Sequence, residues 1–225
     1  MKDIIRGYQR FRDTVFPTKR ELFEQLGDGQ HPRALFICCS DSRVDPEKMT
    51  SMDPGQLFII RNAGNIIPAH NADAGSVSAS VEYAMKALEV PYIIVCGHSG
   101  CGAMKAVLHP DTLDALPEVA SWIEHASGAR AILEAEGIEH HGSDEELLRR
   151  CVELNVLVQI DNLVTHPAVA ARAAVNQVQI YGWYYDIPSG SVFAYDPEAQ
   201  HFEPLDEKAL EDVIPVKRLV DPHHP

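Results

Sequence analysis

The chain has 225 residues, 45% of them apolar and 23% charged, which suffices for one well-buried domain and is marginal for two. Its formal net charge of -14, from 19 basic and 33 acidic side chains, excludes nonspecific affinity for nucleic acid or anionic membrane, although a local arginine can still attract a small anion into a pocket. No apolar run reaches the roughly eighteen residues that span a bilayer, and the opening stretch MKDIIRGYQRFRD, interrupted by charge every few residues, has no apolar export segment. We therefore expect a cytoplasmic protein with no nucleic-acid and no membrane partner.

Along the chain, residues 2–16 read as an amphipathic helix, with Ile4, Tyr8, Phe11 and Val15 at helical spacing and Pro17 as its end. Residues 19–26 suit a second short helix before the Gly27-Asp28-Gly29 break. Residues 34–39 and 57–61 are short apolar runs bounded by turn residues, hence buried strands. Residues 74–88 place Val77, Val81, Ala84 and Leu88 on one helical face. A third strand over 92–96 stops at Gly97, and a helix restarts over 102–108. An acidic, helical stretch follows from about 116 to 176, broken near 137–142. Ser143 opens a helix there, with Asp144, Glu145 and Glu146 in the first turn, where the dipole favours carboxylates. Residues 179–185 and 191–194 flank Asp186-Ile187-Pro188-Ser189-Gly190 as strand, turn and strand. Strands alternating with helices predict an α/β fold: a mostly parallel central sheet with helices on both faces. Ligands in such sheets bind at the carboxyl ends of the strands.

Five cysteines, at 38, 39, 96, 101 and 151, with no export signal argue against a disulfide framework. Cys38, Cys96 and Cys151 read as small buried hydrophobes. The others fall in two segments that leave predicted strand ends: Cys39-Ser40-Asp41-Ser42-Arg43 and His98-Ser99-Gly100-Cys101-Gly102. Two sulfurs and one imidazole from Cys39, His98 and Cys101 suit Zn²⁺, and three protein donors leave a fourth position open, as catalytic zinc sites do. The glycine run at 97, 100 and 102 matches neither a dinucleotide-binding nor a Walker fingerprint.

These two segments together resemble the β-class carbonic anhydrases. The resemblance continues through Arg61-Asn62-Ala63-Gly64-Asn65, Ser80-Val81-Glu82-Tyr83-Ala84 and Gly182-Trp183-Tyr184-Tyr185-Asp186, from the N-terminal helix to about Ala194. It implies one domain over 1–225: a helical arm (1–30) that extends onto a partner subunit, a zinc-binding core (31–110), a helical region with the last strands (111–195) and a tail (196–225). It implies a lyase with one Zn²⁺ per subunit that hydrates CO₂ reversibly to bicarbonate and a proton, by attack of a zinc-bound hydroxide. By the same resemblance Asp41 accepts a hydrogen bond from that hydroxide, and Arg43 holds the Asp41 carboxylate off the metal. Gln30, Phe58, Tyr83 and the Gly102 amide would form the substrate pocket, with Gln and Tyr reaching across a homodimer or dimer of dimers. A second bicarbonate site found in part of the family needs a Trp three residues before the first cysteine ligand. That position is Phe36, although Arg61 and Tyr185 stand at the other two, and by the resemblance Gln30 and the Asn62–Asn65 segment fit the plant-like, cyanate-operon-like branch better.

Two rival readings share the donor set: a zinc hydrolase of COS or CS₂, and a noncatalytic, zinc-stabilised assembly protein. The pairs His140-His141 and His223-His224 read as solvated. His109, before Pro110, stands where a proton could pass at the pocket mouth.

Overall fold

The computed structural model describes residues 1–71, 75–137, 143–206 and 213–215. It divides into two compact units, Met1–His31 and Pro32–Pro225.

In the first unit, helix α1 (Lys2–Arg10) does not stop at Pro17. It passes through a π-helical turn (Phe11–Val15) and a 3₁₀ turn (Phe16–Lys19) into α2 (Arg20–Gly27). Pro17 lies in the first turn of the 3₁₀ segment, where its missing N–H breaks no helical bond, so the expected helix end is corrected to a change of pitch. Phe16 and Phe23 stack at 5.3 Å, and Phe11 meets Phe23 edge-on at 5.8 Å.

The second unit is built on one six-stranded sheet in the order β2-β1-β3-β4-β5-β6. Its strands are β1 (Ala34–Cys39), β2 (Leu57–Asn62), β3 (Tyr92–His98), β4 (Gln179–Asp186), β5 (Ser191–Asp196) and β6 (His201–Pro204). The first four are parallel, and β4, β5 and β6 pair antiparallel. The predicted third strand runs two residues further than expected, so His98 closes β3 rather than following it. β6 carried no sequence signal: only Phe202 of its four residues is buried.

β1 is buried along all six positions, which is why it reads as a continuous apolar run. Leu35, Ile37 and Cys39 point into the main core. Phe36 and Cys38 point to a thinner layer on the other face, with Val44, Cys96 and the partly buried Trp183. The helices are unequally shared. α4 (Ser76–Lys86), α5 (Gly102–Leu108), α6 (Pro117–Ile123), α7 (Ser127–Glu136), α8 (Asp144–Val164) and α9 (Pro167–Ala174) all contribute to the main core. The other face has α3 (Pro46–Thr50), a helix missed in the sequence, N-capped by Asp45 and packed through Met49. α8 begins in a capping box between Ser143 and Glu146, as the acidic first turn predicts. It lies close on the sheet because β3 and β4 carry glycine beneath it. A Cβ on Gly97 would come within 2.5 Å of Val152, and one on Gly182 within 3.0 Å of Val156.

Chain order reverses at β1: β2 lies on one side and β3 on the other. The carboxyl ends of β1 and β3 therefore form the switch point at which open α/β sheets hold ligands. Cys39 ends β1, and His98 ends β3.

Candidate metal centre

The Sγ atoms of Cys39 and Cys101 and a ring nitrogen of His98 all lie within 4.8 Å of one another, and the three residues are buried. No other group of this kind is found among the described residues. His98 Nδ1 donates to Ser99 O at 2.9 Å, so its proton sits on Nδ1 and Nε2 carries the lone pair. Nε2 is buried and has no hydrogen-bond partner among the described residues. A buried acceptor without a partner is costly, and a metal ion would satisfy it. A backbone carbonyl on the other imidazole nitrogen is also the usual outer support of a metal-bound histidine. Two sulfurs with one imidazole are a zinc donor set, and three donors leave one position free for chemistry.

The two thiols differ. A hydrogen bond from the Cys101 side chain holds the Cys39 thiol low, and the backbone N–H groups of Gly64 and Asp41 add to it against the opposing effect of burial. The same bond to Cys39, reinforced by burial, pushes the Cys101 thiol up. Gly64 N donates to Cys39 Sγ at 3.4 Å.

The ligand loops are held from several sides. Arg61 on β2 donates to Cys39 O, Asp41 O and Val44 O, at 3.2, 2.8 and 2.8 Å, and so fixes the turn after β1. Ser99 N donates to Tyr185 O and Ser99 Oγ accepts from Ile187 N, both at 2.9 Å, which ties the loop after β3 to the end of β4. Gly100 has φ of +66°, a left-handed conformation that glycine adopts without strain. Arg43 bridges the two loops. Its backbone N and Nε donate to Asp41 Oδ1 at 2.9 Å each, and its Nη2 donates to Asp41 Oδ2 at 2.7 Å and to Gly100 O at 3.3 Å. The Arg43 guanidinium holds the Asp41 carboxyl far below the ordinary carboxylate range, so Asp41 is ionised at all physiological pH. Asp41 Oδ2 stands 4.0 Å from His98 Nε2.

The remaining expected residues are not gathered around the sulfurs in the same way. Phe58 on β2 and Tyr83 on α4 face each other with ring centroids 5.9 Å apart, and Tyr83 is exposed. Gly102 opens α5, directly after Cys101, and lines a cavity of about 490 Å³ with Ala63, Lys105 and His109. Gln30 is exposed and belongs to the first unit. His140-His141 and His223-His224 lie outside the described residues. Phe36, at the position a second bicarbonate site would need as Trp, packs edge-on against Trp183 at 5.9 Å. Sequence reasoning overlooked Gly64 and Arg61 as supports of the centre. The glycine before Asn65 hinted at a turn, but nothing local tells that its N–H meets a sulfur 25 positions away.

A parallel sheet whose switch point carries buried cysteine, histidine and cysteine around a free coordination position defines a zinc-dependent α/β enzyme. The carbonic anhydrase family model matches residues 34–192. Carbonic anhydrase of Pseudomonas aeruginosa is 48% identical over 207 residues, covering 92% of this chain and 93% of the relative. Carbonic anhydrase 1 of Escherichia coli O157:H7 is 44% identical over 218 residues, covering 97% and 98%. Among solved structures, the β-carbonic anhydrase CcaA superposes with a TM-score of 0.88 at 46% identity, over 92% of this chain and 93% of that one. This chain belongs to the β-carbonic anhydrase family. It is a zinc lyase that hydrates CO₂ reversibly to bicarbonate and a proton.

Proposed function

We propose that Asp41 and Arg43 are the catalytic pair of this carbonic anhydrase and that Cys39, His98 and Cys101 hold its Zn²⁺. Bound Zn²⁺ supplies hydroxide near neutral pH by acidifying water. Two thiolates and a neutral imidazole cancel the charge of the ion, so residues outside the ligand set have more to contribute than at an all-imidazole site. The Asp41 carboxylate, ionised and acceptor-only, takes a proton donor on the Oδ2 lone pair that Arg43 leaves free. It thereby orients the nucleophile toward CO₂. Arg43 gates the site by holding Asp41 through three hydrogen bonds, which keeps the carboxylate an acceptor and prevents it from closing the free coordination position. The observation that carries this reading is the position of Asp41 Oδ2, clamped by Arg43 and 4.0 Å from His98 Nε2.

In this reading Phe58 provides an apolar wall for the uncharged substrate, and Gln30, Tyr83 and the Gly102 N–H donate to its oxygens as charge develops. Residues 1–30 form an arm and 31–110 the zinc-binding core of a single domain, followed by a region over 111–195 and a tail over 196–225. The protein acts as a homodimer or a dimer of dimers, with the N-terminal helix on the partner. The exposed Ile4, Tyr8 and Val15 support this, as do the related enzymes of Sordaria macrospora described as tetrameric. Five free cysteines support a reducing, cytoplasmic setting. No helix among the described residues is long and apolar enough to cross a membrane. Phe36 in place of Trp, and Arg61 already engaged with three carbonyls, support the plant-like, cyanate-operon-like branch.

Stopped-flow CO₂ hydration on Arg43→Ala, with zinc content measured on the same sample, tests the pair. The expected result is full zinc occupancy and turnover lower by about 10–100-fold, the usual cost of an outer support at a metal site. Near-normal turnover at full occupancy would overturn the role of Arg43.

A further inference from the structure

The turn after β2, residues 62–67, is gripped from several directions. Asn62 closes it on itself, with Nδ2 donating to Ile66 O at 2.8 Å and Oδ1 accepting from Ile66 N at 2.7 Å. Trp122 of α6 donates its indole Nε1–H to Ala63 O at 2.8 Å. From α8, Asn155 Nδ2 donates to Gly64 O at 3.0 Å, and Gln159 Oε1 accepts from Ile67 N at 2.7 Å. Gln159 Nε2 in turn donates to Asn155 Oδ1 at 2.9 Å and to His125 O at 3.1 Å. Asn155 and Gln159 are wholly buried. Two primary amides inside a core are costly unless each polar atom is paired, and packing alone would be served by leucine. Their pairing converges on one short stretch of backbone.

That stretch ends at the metal centre. Gly64 takes φ of +80°, and a Cβ there would lie 2.8 Å from Ala103 Cβ, so the backbone passes closer than any side chain would permit. Its N–H donates to Cys39 Sγ. The Gly64 N–H and the Ala63 C=O are the two ends of one planar trans peptide. Fixing Ala63 O with an indole N–H therefore fixes the direction of the N–H on the other side, and polarises it, because hydrogen bonds in series strengthen one another. Asn155 fixes the next peptide plane in the same way.

We propose that Trp122 and Asn155 are positioning residues for the zinc site, holding the Ala63–Gly64 peptide so that its N–H stays on Cys39 Sγ and draws charge from that thiolate. Neither residue touches the metal or CO₂. Their effect is to make Cys39 a weaker electron donor, which returns Lewis acidity to an ion otherwise neutralised by two thiolates. This inference rests on the zinc reading of Cys39, His98 and Cys101.

The test replaces Zn²⁺ with Co²⁺ in the full-length protein and records the thiolate-to-cobalt charge-transfer absorption. Trp122→Phe removes one N–H and keeps an aromatic ring. Asn155→Ser reaches the same turn from the buried side and serves if the first exchange is masked by water. The expected result is a charge-transfer band at longer wavelength in both variants, because a thiolate relieved of its N–H gives up electron density more easily. CO₂ hydration of the zinc forms should fall by about tenfold through kcat, near the lower limit for outer supports. A merely structural role would lower the melting temperature and leave the band in place. Bands coincident with wild type in both variants would overturn the proposal. Absence of a thiolate band in wild type would instead overturn the zinc reading on which it rests.

Discussion

Two pairs of cysteines sit at the carboxyl end of this sheet, one in an apolar layer and one at the metal centre. Cys38 and Cys96 are register partners on β1 and β3. They lie in the thin apolar layer with Phe36 and Val44, and burial pushes the Cys38 thiol up to about 12 and the Cys96 thiol well above its ordinary value. Cys39 and Cys101 are also buried, and Cys101 is pushed up as well, yet Cys39 faces the opposite way and is held low by hydrogen bonds from the Cys101 side chain and the backbone N–H groups of Gly64 and Asp41. Burial is common to both pairs and does not separate them. What sets Cys39 apart is the supply of donors, which comes from loops at the switch point and is denied to the apolar layer one residue back along β1.

The sharpest way to break this comparison is to exchange its members. Cys39→Ser should abolish stoichiometric zinc binding and reduce CO₂ hydration by three orders of magnitude or more, on the order expected when a metal nucleophile is lost. Cys38→Ala should keep both and lose about 1 kcal/mol of stability through a small cavity. Metal analysis and stopped-flow hydration on the two proteins decide the matter. A Cys38→Ala protein that loses its zinc would show that the two faces are not chemically separate.

The next largest effect concerns how the end of β3 is held. Gly97 separates Cys96 from His98 and lies under α8. In Gly97→Ala the new Cβ would come within 2.5 Å of Val152 Cγ1 and 3.0 Å of Val156 Cγ2. Overpacking of this kind costs about 1–3 kcal/mol. Adding Val152→Ala should return part of that loss, so the double variant is more stable than the sum of the singles predicts. Urea denaturation of the four proteins measures the coupling. Strict additivity would mean that α8 moves away from the sheet at little cost and does not set the place of His98.

Much of this arrangement was legible beforehand. Continuous apolar runs at 34–39 and 92–96 gave the two central strands, and the cysteines and histidine at their ends gave the donor set, because a metal site needs particular residue types and these are rare. The Asp41–Arg43 pair was legible by resemblance, as a short segment of fixed spacing. The course of the chain through Pro17 was not, since proline is compatible with the first turn of a helix as well as with its end. β6 has one buried residue and gives no period to read. The N–H of Gly64 on Cys39, and the grip of Arg61 on three carbonyls of the β1 turn, were illegible for a deeper reason. Backbone donors and acceptors are the same at every residue, so only the fold decides which of them meet.

The smallest effect tests the burial half of the comparison on an imidazole. His166, at the N-terminus of α9, is 2% exposed and donates Nε2–H to Pro68 O at 3.0 Å. Burial lowers its pKa below the ordinary histidine value, with a further push from the neighbouring His70 ring. The native state therefore binds fewer protons than the unfolded chain once the pH drops below the unfolded histidine value of about 6.5. Stability is independent of this group above that pH and declines as the pH falls from there toward the lowered native value. Urea midpoints at pH 7.5 and 5.5 should thus drop further for wild type than for His166→Gln. Other groups titrating in this range, such as the exposed His201 with its raised pKa, act equally in both proteins and cancel in the difference. Parallel midpoints would show that His166 takes up its proton without cost. In that case burial alone would not account for the inert behaviour assigned to Cys38 and Cys96, and the contrast with Cys39 would have to rest entirely on the donors that surround it.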